Sequence, residues 1–168
     1  ALSDDYSDET YKETHKNVHA AEIHDKTFHI AAGEYQTANY IRIKFAQNDT
    51  PVKVTLKGGY DANSKGTDLS KRNITTFVTK LKGAKGATGG SGTKRVFLIN
   101  EKVNLTLDGL SLTDGTGDAT HGGGAIFMDQ ASSTLTCKQC TIANNTSPIN
   151  GAAVYVTAGT LGFTNCTF

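Results

Sequence analysis

The sequence predicts an all-β fold, a parallel β-helix in which successive coils of the chain stack on one another. The first observation is an eight-residue pattern that occurs three times, as LTLDGLSL from Leu105, LTCKQCTI from Leu135 and LGFTNCTF from Leu161. Positions one, three, six and eight of each copy are apolar or Cys, and positions four and five are polar or Gly. This pattern is typical of two short strands that flank a tight bend.

A second strand family follows the first two copies, as GGAIFM from Gly123 and GAAVYV from Gly151. The copies are 30 residues apart (105 to 135), 26 apart (135 to 161) and 28 apart (123 to 151). A shared period indicates one coil per repeat, and stacking would place Leu on Leu and Cys on Cys in the interior. An antiparallel β-sandwich is the alternative, but its hairpins would not copy side chains at a fixed period.

The first 25 residues differ from the rest of the chain, because they carry two bases and seven acids, a net charge of −5. A Ser or Asp N-cap near Ser7 with acids in the first turn predicts a short amphipathic helix over the first coil. A frayed acidic tail is the equal alternative. We therefore expect an N-terminal cap or tail at 1–25 and β-helix coils at 26–168. Phe168 falls inside a repeat strand, so we also expect further coils at the C-terminus.

The coils between residues 26 and 102 are less regular. Two alternating segments that end in Gly and Tyr predict early coils, FHIAAGEY from Phe28 and VKVTLKGGY from Val52. Residues 61–73 and 82–94 lack a strand pattern and are predicted to be loops. Shorter strands are predicted in ITTFVTK from Ile74 and RVFLI from Arg95.

Positive charge is concentrated in the middle of the chain. Residues 26–102 carry fourteen bases and five acids, a net charge of +9, whereas the whole chain carries only +1. Such a field attracts anionic glycans, lipids or nucleic acid. The lysines are not regularly interleaved with aromatic residues, which favours a solvated outer face over a nucleic-acid surface. The candidate binding residues are Lys57, Tyr60, Lys65, Lys71, Arg72, Lys82, Lys85, Lys94 and Arg95.

The segment DGTGDATHGGG is the candidate metal site. Asp114 and Asp118 could hold a calcium ion through their carboxylates and loop carbonyls, and His121 could assist proton transfer. A simple turn, with Asp and Gly present for backbone geometry, is the favoured alternative, because calcium loops usually carry more oxygen donors. We therefore expect no cofactor, with calcium as the exception to test.

Cys140 and Cys166 occupy the same repeat position, so stacking would bring their backbones about 4.8 Å apart. That distance permits a disulfide, which would imply an oxidising compartment. The simpler alternative is that both, with Cys137, are small apolar residues in the core.

Several motifs resemble the pectin-lyase-like superfamily of right-handed parallel β-helices. GGAI from Gly123, GAAV from Gly151 and FTNCTF from Phe163 are similar to motifs of its surface-protein branch, which includes chlamydial polymorphic outer-membrane proteins and Bacteroidetes surface proteins. LKGGYDAN from Leu56 resembles an early-coil motif of the Bacteroidetes group. The resemblance implies right-handed coiling. Catalytic members would show calcium-binding acids with a basic residue, or paired aspartates, and neither pattern is evident in the repeats.

These observations together predict a non-catalytic, extracellular module of a cell surface, which binds a glycan or a host surface through a rigid face and its loops. The alternatives are the N-terminal portion of a polysaccharide lyase or glycoside hydrolase, and a structural spacer. We expect a secreted or surface location, a polysaccharide or host-surface partner, self-association through an open C-terminal coil, and no transmembrane segment in this chain.

Overall fold

The computed structural model confirms the all-β parallel solenoid, with about four turns. It describes residues 26–36, 40–43, 51–64, 68–83 and 94–168. The predicted N-terminal cap lies outside these residues. Among them the only helical element is a short 3-10 helix, Ala62–Ser64. The strands are β1 (Lys26–Ala31), β2 (Gly33–Gln36), β3 (Ile41–Arg42), β4 (Val52–Tyr60), β5 (Thr79–Lys82), β6 (Phe97–Ile99), β7 (Val103–Asp108), β8 (Leu110–Thr113), β9 (Ile126–Lys138), β10 (Thr141–Ala143) and β11 (Val154–Thr164).

Each coil contributes to three stacks of parallel strands. The first stack contains β1, β4, β7 and the second halves of β9 and β11. The second contains β2, β5, β8 and β10. The third contains β3, β6 and the first halves of β9 and β11. Strands β9 and β11 are long because each runs from the third stack of one coil into the first stack of the next.

The register matches the sequence repeat. Leu105 pairs with Leu135, which pairs with Leu161, and Ile126 pairs with Val154. The 30-, 26- and 28-residue spacings are therefore real coil lengths. Along β7 the side chains alternate between buried and half-buried, as expected for a strand with one face in the core.

The bends also follow the sequence. Gly109, Gln139 and Asn165 adopt φ angles of 66°, 51° and 53° between the first and second stacks. Left-handed backbone is most accessible to Gly and Asn, so the predicted bend positions are confirmed. Asp114 and Asn144 repeat this conformation one bend later, at φ 59° and 57°.

Two buried polar side chains, Ser133 and Thr79, form hydrogen bonds with backbone groups of neighbouring coils. Ser133, 1 % exposed, donates to the Glu101 carbonyl at 2.7 Å and accepts from the Val103 amide at 3.0 Å. Thr79 accepts from the Gly59 amide at 3.1 Å. These buried polar groups are therefore satisfied. The hydrophobic core around them consists of aliphatic and Cys side chains with Phe97 and Met128.

Candidate functional site

The outer face of the third stack carries a line of large side chains. Register places Arg42 beside Leu98, Leu98 beside Phe127, and Phe127 beside Tyr155. The residues before and after them point into the core, so these four point outward. The backbone that presents them is a parallel ladder, which holds neighbouring side chains about one strand spacing apart.

Three rings stack on this face. The Phe127 and Tyr155 rings are nearly parallel, at 15°, with centroids 5.9 Å apart. His121, from the loop that leads into β9, stacks on Phe127 at 4.9 Å and 29°. Phe127 is only 5 % exposed, whereas Tyr155 is half-buried and His121 is exposed. The cluster therefore presents Tyr155 and His121 to solvent over a buried aromatic support. We call His121, Phe127 and Tyr155 the aromatic cluster.

A buried ion pair supports the aromatic cluster. The Arg95 guanidinium carbon lies 4.9 Å from the Phe127 ring centroid, close enough for a cation–π contact. Its Nη2 atom donates to Asp118 Oδ2 at 2.8 Å and to the His121 carbonyl at 3.1 Å. Among the described residues its buried Nε has no hydrogen-bond partner. Burial lowers the pKa of Arg95, and the Asp118 charge opposes that shift.

Asp118 anchors the loop as well as the arginine. Its Oδ1 atom accepts from the Thr120 amide at 2.9 Å, the Thr120 hydroxyl at 2.8 Å and the His121 amide at 2.6 Å. These three hydrogen bonds to one carboxylate oxygen fix the turn. The loop conformation and the position of the His121 ring therefore depend on Asp118.

The two aspartates of the candidate calcium site have different partners. Asp114 accepts from Thr113 at 3.1 Å and lies 3.4 Å from the Lys82 ammonium, while Asp118 faces Arg95. Within the part of the chain that the structure describes, no group of three His, Cys, Asp or Glu side chains could hold a metal ion. Calcium binding stays a prediction; in the structure the Asp118 side chain holds the turn, and the Asp114 side chain contacts Thr113 and Lys82.

Two further polar contacts flank the aromatic cluster. Arg42 donates to Asn100 Oδ1 at 2.8 Å and pairs with Glu101 at 2.7 Å. Thr157 donates to Asp129 Oδ1 at 2.7 Å. Arg42 therefore lies in the same column as the Phe127 and Tyr155 rings, and Asp129 and Thr157 lie two residues further along β9 and β11.

Several of the described basic candidates have carboxylate partners. Arg72 pairs with Asp108 at 2.6 Å and donates to the Gly58 carbonyl at 2.8 Å. Lys82 reaches Glu34 at 3.3 Å. Binding by these residues stays a prediction, and the structure sets four of the predicted cations, Lys71, Arg72, Lys82 and Arg95, against carboxylates.

The remaining described candidates differ in their surroundings. Tyr60 is 6 % exposed and its ring meets His29 edge-on at 4.9 Å. Lys57 is half-buried on β4, Lys71 is exposed near Asp68, and Lys94 joins the 114–122 loop through its backbone. Lys65 and Lys85 lie outside the described residues.

All three cysteines are free thiols in the structure; Cys137 and Cys140 are buried, and Cys166 is half-buried. Cys140 donates to the Leu107 carbonyl at 3.5 Å, and Cys166 to the Cys137 carbonyl at 3.4 Å. Cys140 is buried in the core and Cys166 is half-buried against it, and a disulfide between them stays a prediction. A hydrogen bond between the Cys137 and Cys140 thiols lowers the pKa of Cys140, and that bond together with burial raises the pKa of Cys137.

Sequence reasoning named Arg95, Asp118 and His121 but missed Phe127 and Tyr155. The signal was present, because both aromatics occupy the same position in the GGAIFM and GAAVYV repeats. In a strand with one buried face, the residue next to an inward aliphatic points outward. Two aromatics at one outward repeat position therefore predict a surface stack.

None of the described residues forms a helix long and apolar enough to cross a membrane. In comparisons with known proteins, no family model, no curated protein and no solved structure matches the chain.

Proposed function

We propose that this chain is a non-catalytic carbohydrate-binding module of a secreted or cell-surface β-helix. The observation that carries the proposal is the aromatic cluster, in which Tyr155 and His121 are presented to solvent over Phe127. Sugar rings have apolar C–H faces and hydroxyl edges. An outward aromatic ring with polar neighbours offers a complementary surface to both.

The supporting groups favour binding over catalysis. Asp118 is held by Arg95 and by loop donors, so it acts as an anchor and not as a proton shuttle. The rings rest on a parallel ladder and a buried cation–π contact, so little side-chain freedom is lost when a ligand binds. A rigid, weakly charged aromatic face suits recognition of a sugar surface.

The proposal includes membership of the surface-protein branch of the pectin-lyase-like superfamily. The GGAI motif supports it, because Gly123 adopts φ 80° and Ala125 and Ile126 are fully buried at the start of the third stack. The motif therefore has a structural role that fits its recurrence in coils of this kind.

The test is a glycan array probed with the full chain and two variants. Tyr155→Ala removes the exposed ring, and Tyr35→Ala removes an exposed ring (37 %) from β2 in the second stack as a matched control. We expect Tyr155→Ala to weaken glycan binding by about tenfold, roughly 1.4 kcal/mol, and the control to bind as wild type. Thermal melts establish that both variants fold. Absence of any glycan ligand, or unchanged binding by Tyr155→Ala, would overturn the proposal.

A further inference from the structure

A second outward surface lies on the first stack, whereas the aromatic cluster lies on the third. Its central column is a line of threonines from four successive coils, joined by register: Thr27, Thr55, Thr106 and Thr136. Thr27 is exposed and the other three are half-buried. We call this surface, with its two border columns, the hydroxyl face.

One border of the hydroxyl face alternates in charge. Register places Lys57 beside Asp108 and Asp108 beside Lys138. Asp108 forms an ion pair with Arg72, with 2.6 Å between Asp108 Oδ1 and Arg72 Nη2. The Asp108 side chain is 14 % exposed and the Arg72 side chain 22 %. Neither lysine lies within ion-pair distance of a carboxylate among the described residues. The border therefore offers an unpaired ammonium, a neutralised position and a second unpaired ammonium.

The other border is polar and contains one more base. It consists of residues aligned by the same register: Lys53, Asn104, Thr134 and Thr160. The only ring in the three columns belongs to His29, at one end. The face is thus a flat array of hydroxyl, amide and ammonium groups.

The spacing of these groups is fixed by the backbone. Adjacent strands lie about 4.8 Å apart, so one threonine hydroxyl recurs at each step along the axis. Lys57 and Lys138 are two steps apart, about 9.6 Å between their strands. An extended polysaccharide lying along the axis would meet a hydroxyl at every step and an unpaired cation at every second step.

We propose that the hydroxyl face binds a linear polysaccharide that carries one carboxylate per disaccharide. A carboxylate on every sugar would set an anion against the Asp108–Arg72 pair, where no cation is available. A neutral chain would leave both lysines without partners. Nucleic acid fits less well, because single strands bind through stacking on aromatic side chains and this face has one imidazole at its end.

This inference extends the proposed glycan recognition to a different face, so the two can fail separately. The probes are hyaluronan, with one carboxylate per disaccharide; polygalacturonate, with one per sugar; neutral dextran; and single-stranded DNA. We expect the full chain to bind hyaluronan about tenfold more tightly than each of the others at physiological salt, with affinity falling as salt rises.

Two double variants of equal charge change locate the binding. Lys57→Gln with Lys138→Gln is expected to reduce hyaluronan affinity about tenfold, to the dextran level. Lys80→Gln with Lys94→Gln, away from the hydroxyl face, is expected to leave it unchanged. Thr106→Val, which keeps the β-branched shape, is expected to weaken binding severalfold without changing the salt dependence.

Equal affinity for polygalacturonate or DNA, or equal losses in the two double variants, would overturn the proposal. Loss of array binding in Tyr155→Ala with hyaluronan binding intact would leave this inference standing alone. The reverse pattern, with Tyr155-dependent binding and no effect of Lys57 and Lys138, would remove this inference and leave the proposed function.

Discussion

The bend between the first and second stacks depends on single residues with left-handed backbone. Gly109, Gln139 and Asn165 perform the same turn in successive coils. Side chains other than Gly and Asn adopt this conformation at a cost of about 1–2 kcal/mol. Gln139 therefore carries strain that its neighbours avoid, and the fold tolerates it because stacking fixes the turn from both sides.

Gly109→Ala tests the bend directly. The added Cβ would contact the Arg72 guanidinium and the Ile74 side chain in a left-handed backbone, so we expect a loss of about 2 kcal/mol in the free energy of unfolding. The measurement is urea denaturation. Gly162→Ala in β11 is the control, since its Cβ would meet nothing within 4 Å, and its effect should stay within about 0.5 kcal/mol. Equal stabilities of the two variants would contradict this account of the bend.

Tyr60 gives a prediction for alkaline pH. Burial raises the pKa of Tyr60 above its ordinary value of 10.0, so the folded state keeps the phenol neutral. The stability that depends on this proton is complete below pH 10 and is lost as pH rises through the folded-state pKa. Tyr60→Phe should therefore lose less stability than wild type between about pH 9 and pH 11. Unfolding free energies across that range test this, with Tyr35→Phe, at an exposed site, as the control. Parallel curves for Tyr60→Phe and wild type would refute it.

At the residue scale, the sequence identified bend residues better than binding partners. Gly and Asn reveal a bend because the backbone conformation selects them locally. The partner of Arg95 could not be read in the same way, since Asp118 is 23 positions away and arrives by coil stacking. Eight basic candidates followed from composition, but the stacking of the coils decides which of them meet a carboxylate.

At the scale of the strands, equivalent residues of successive coils stack in shared columns. Leu107, Cys137 and Phe163 occupy one interior column in three successive coils. Leu107 and Cys137 are fully buried, whereas Phe163 is 37 % exposed. The same column position therefore contributes differently to stability according to which coil it lies in.

Leu107→Ala and Phe163→Ala measure how much this column position contributes to stability in two different coils. Leu107→Ala should cost about 2–5 kcal/mol, because it leaves a cavity between two packed coils. Phe163→Ala removes a larger side chain but should cost less, since the ring is partly solvated already. Chemical denaturation of both variants provides the comparison. A larger loss for Phe163→Ala would show that β11 is covered by something that the described residues do not include.

Strand identity was predictable from the sequence wherever apolar alternation was uninterrupted. The segment ITTFVTK was predicted as a strand from Ile74, but β5 begins only at Thr79. Asn73 explains the difference, because its Oδ1 accepts from the Thr75 amide at 3.0 Å, the Thr75 hydroxyl at 2.7 Å and the Thr76 amide at 3.0 Å. That side-chain turn competes with the strand, as Asn does when backbone donors lie nearby.

At the scale of the whole molecule, stability is a sum over neighbouring coils. Strand β7 is paired on both sides, by β4 and β9, while β11 is paired with β9 alone among the described strands. Local opening should therefore begin at β11 and reach β7 last.

Hydrogen exchange followed by mass spectrometry tests this order. We expect the amides of β7 to be protected at least about tenfold more than those of β11. Protection of β11 that rises with protein concentration would support the predicted self-association. Uniform protection at every concentration would contradict a stability gradient along the stack.

Leu105 pairs with Leu135, and Leu135 pairs with Leu161, so successive coils stack in the same register. This register has a consequence for how the number of coils can change. Residues 105–134 span one full coil, and its first residue stacks directly on the residue that follows its last. A tandem duplicate of this segment, inserted after residue 134, would stack on the original coil on one side and on the coil that begins at Leu135 on the other. Length can therefore change by whole coils without redesign of the cross-section, and each added coil would extend both outer faces by about one strand spacing. The length of the solenoid along its axis is therefore set by the number of coils.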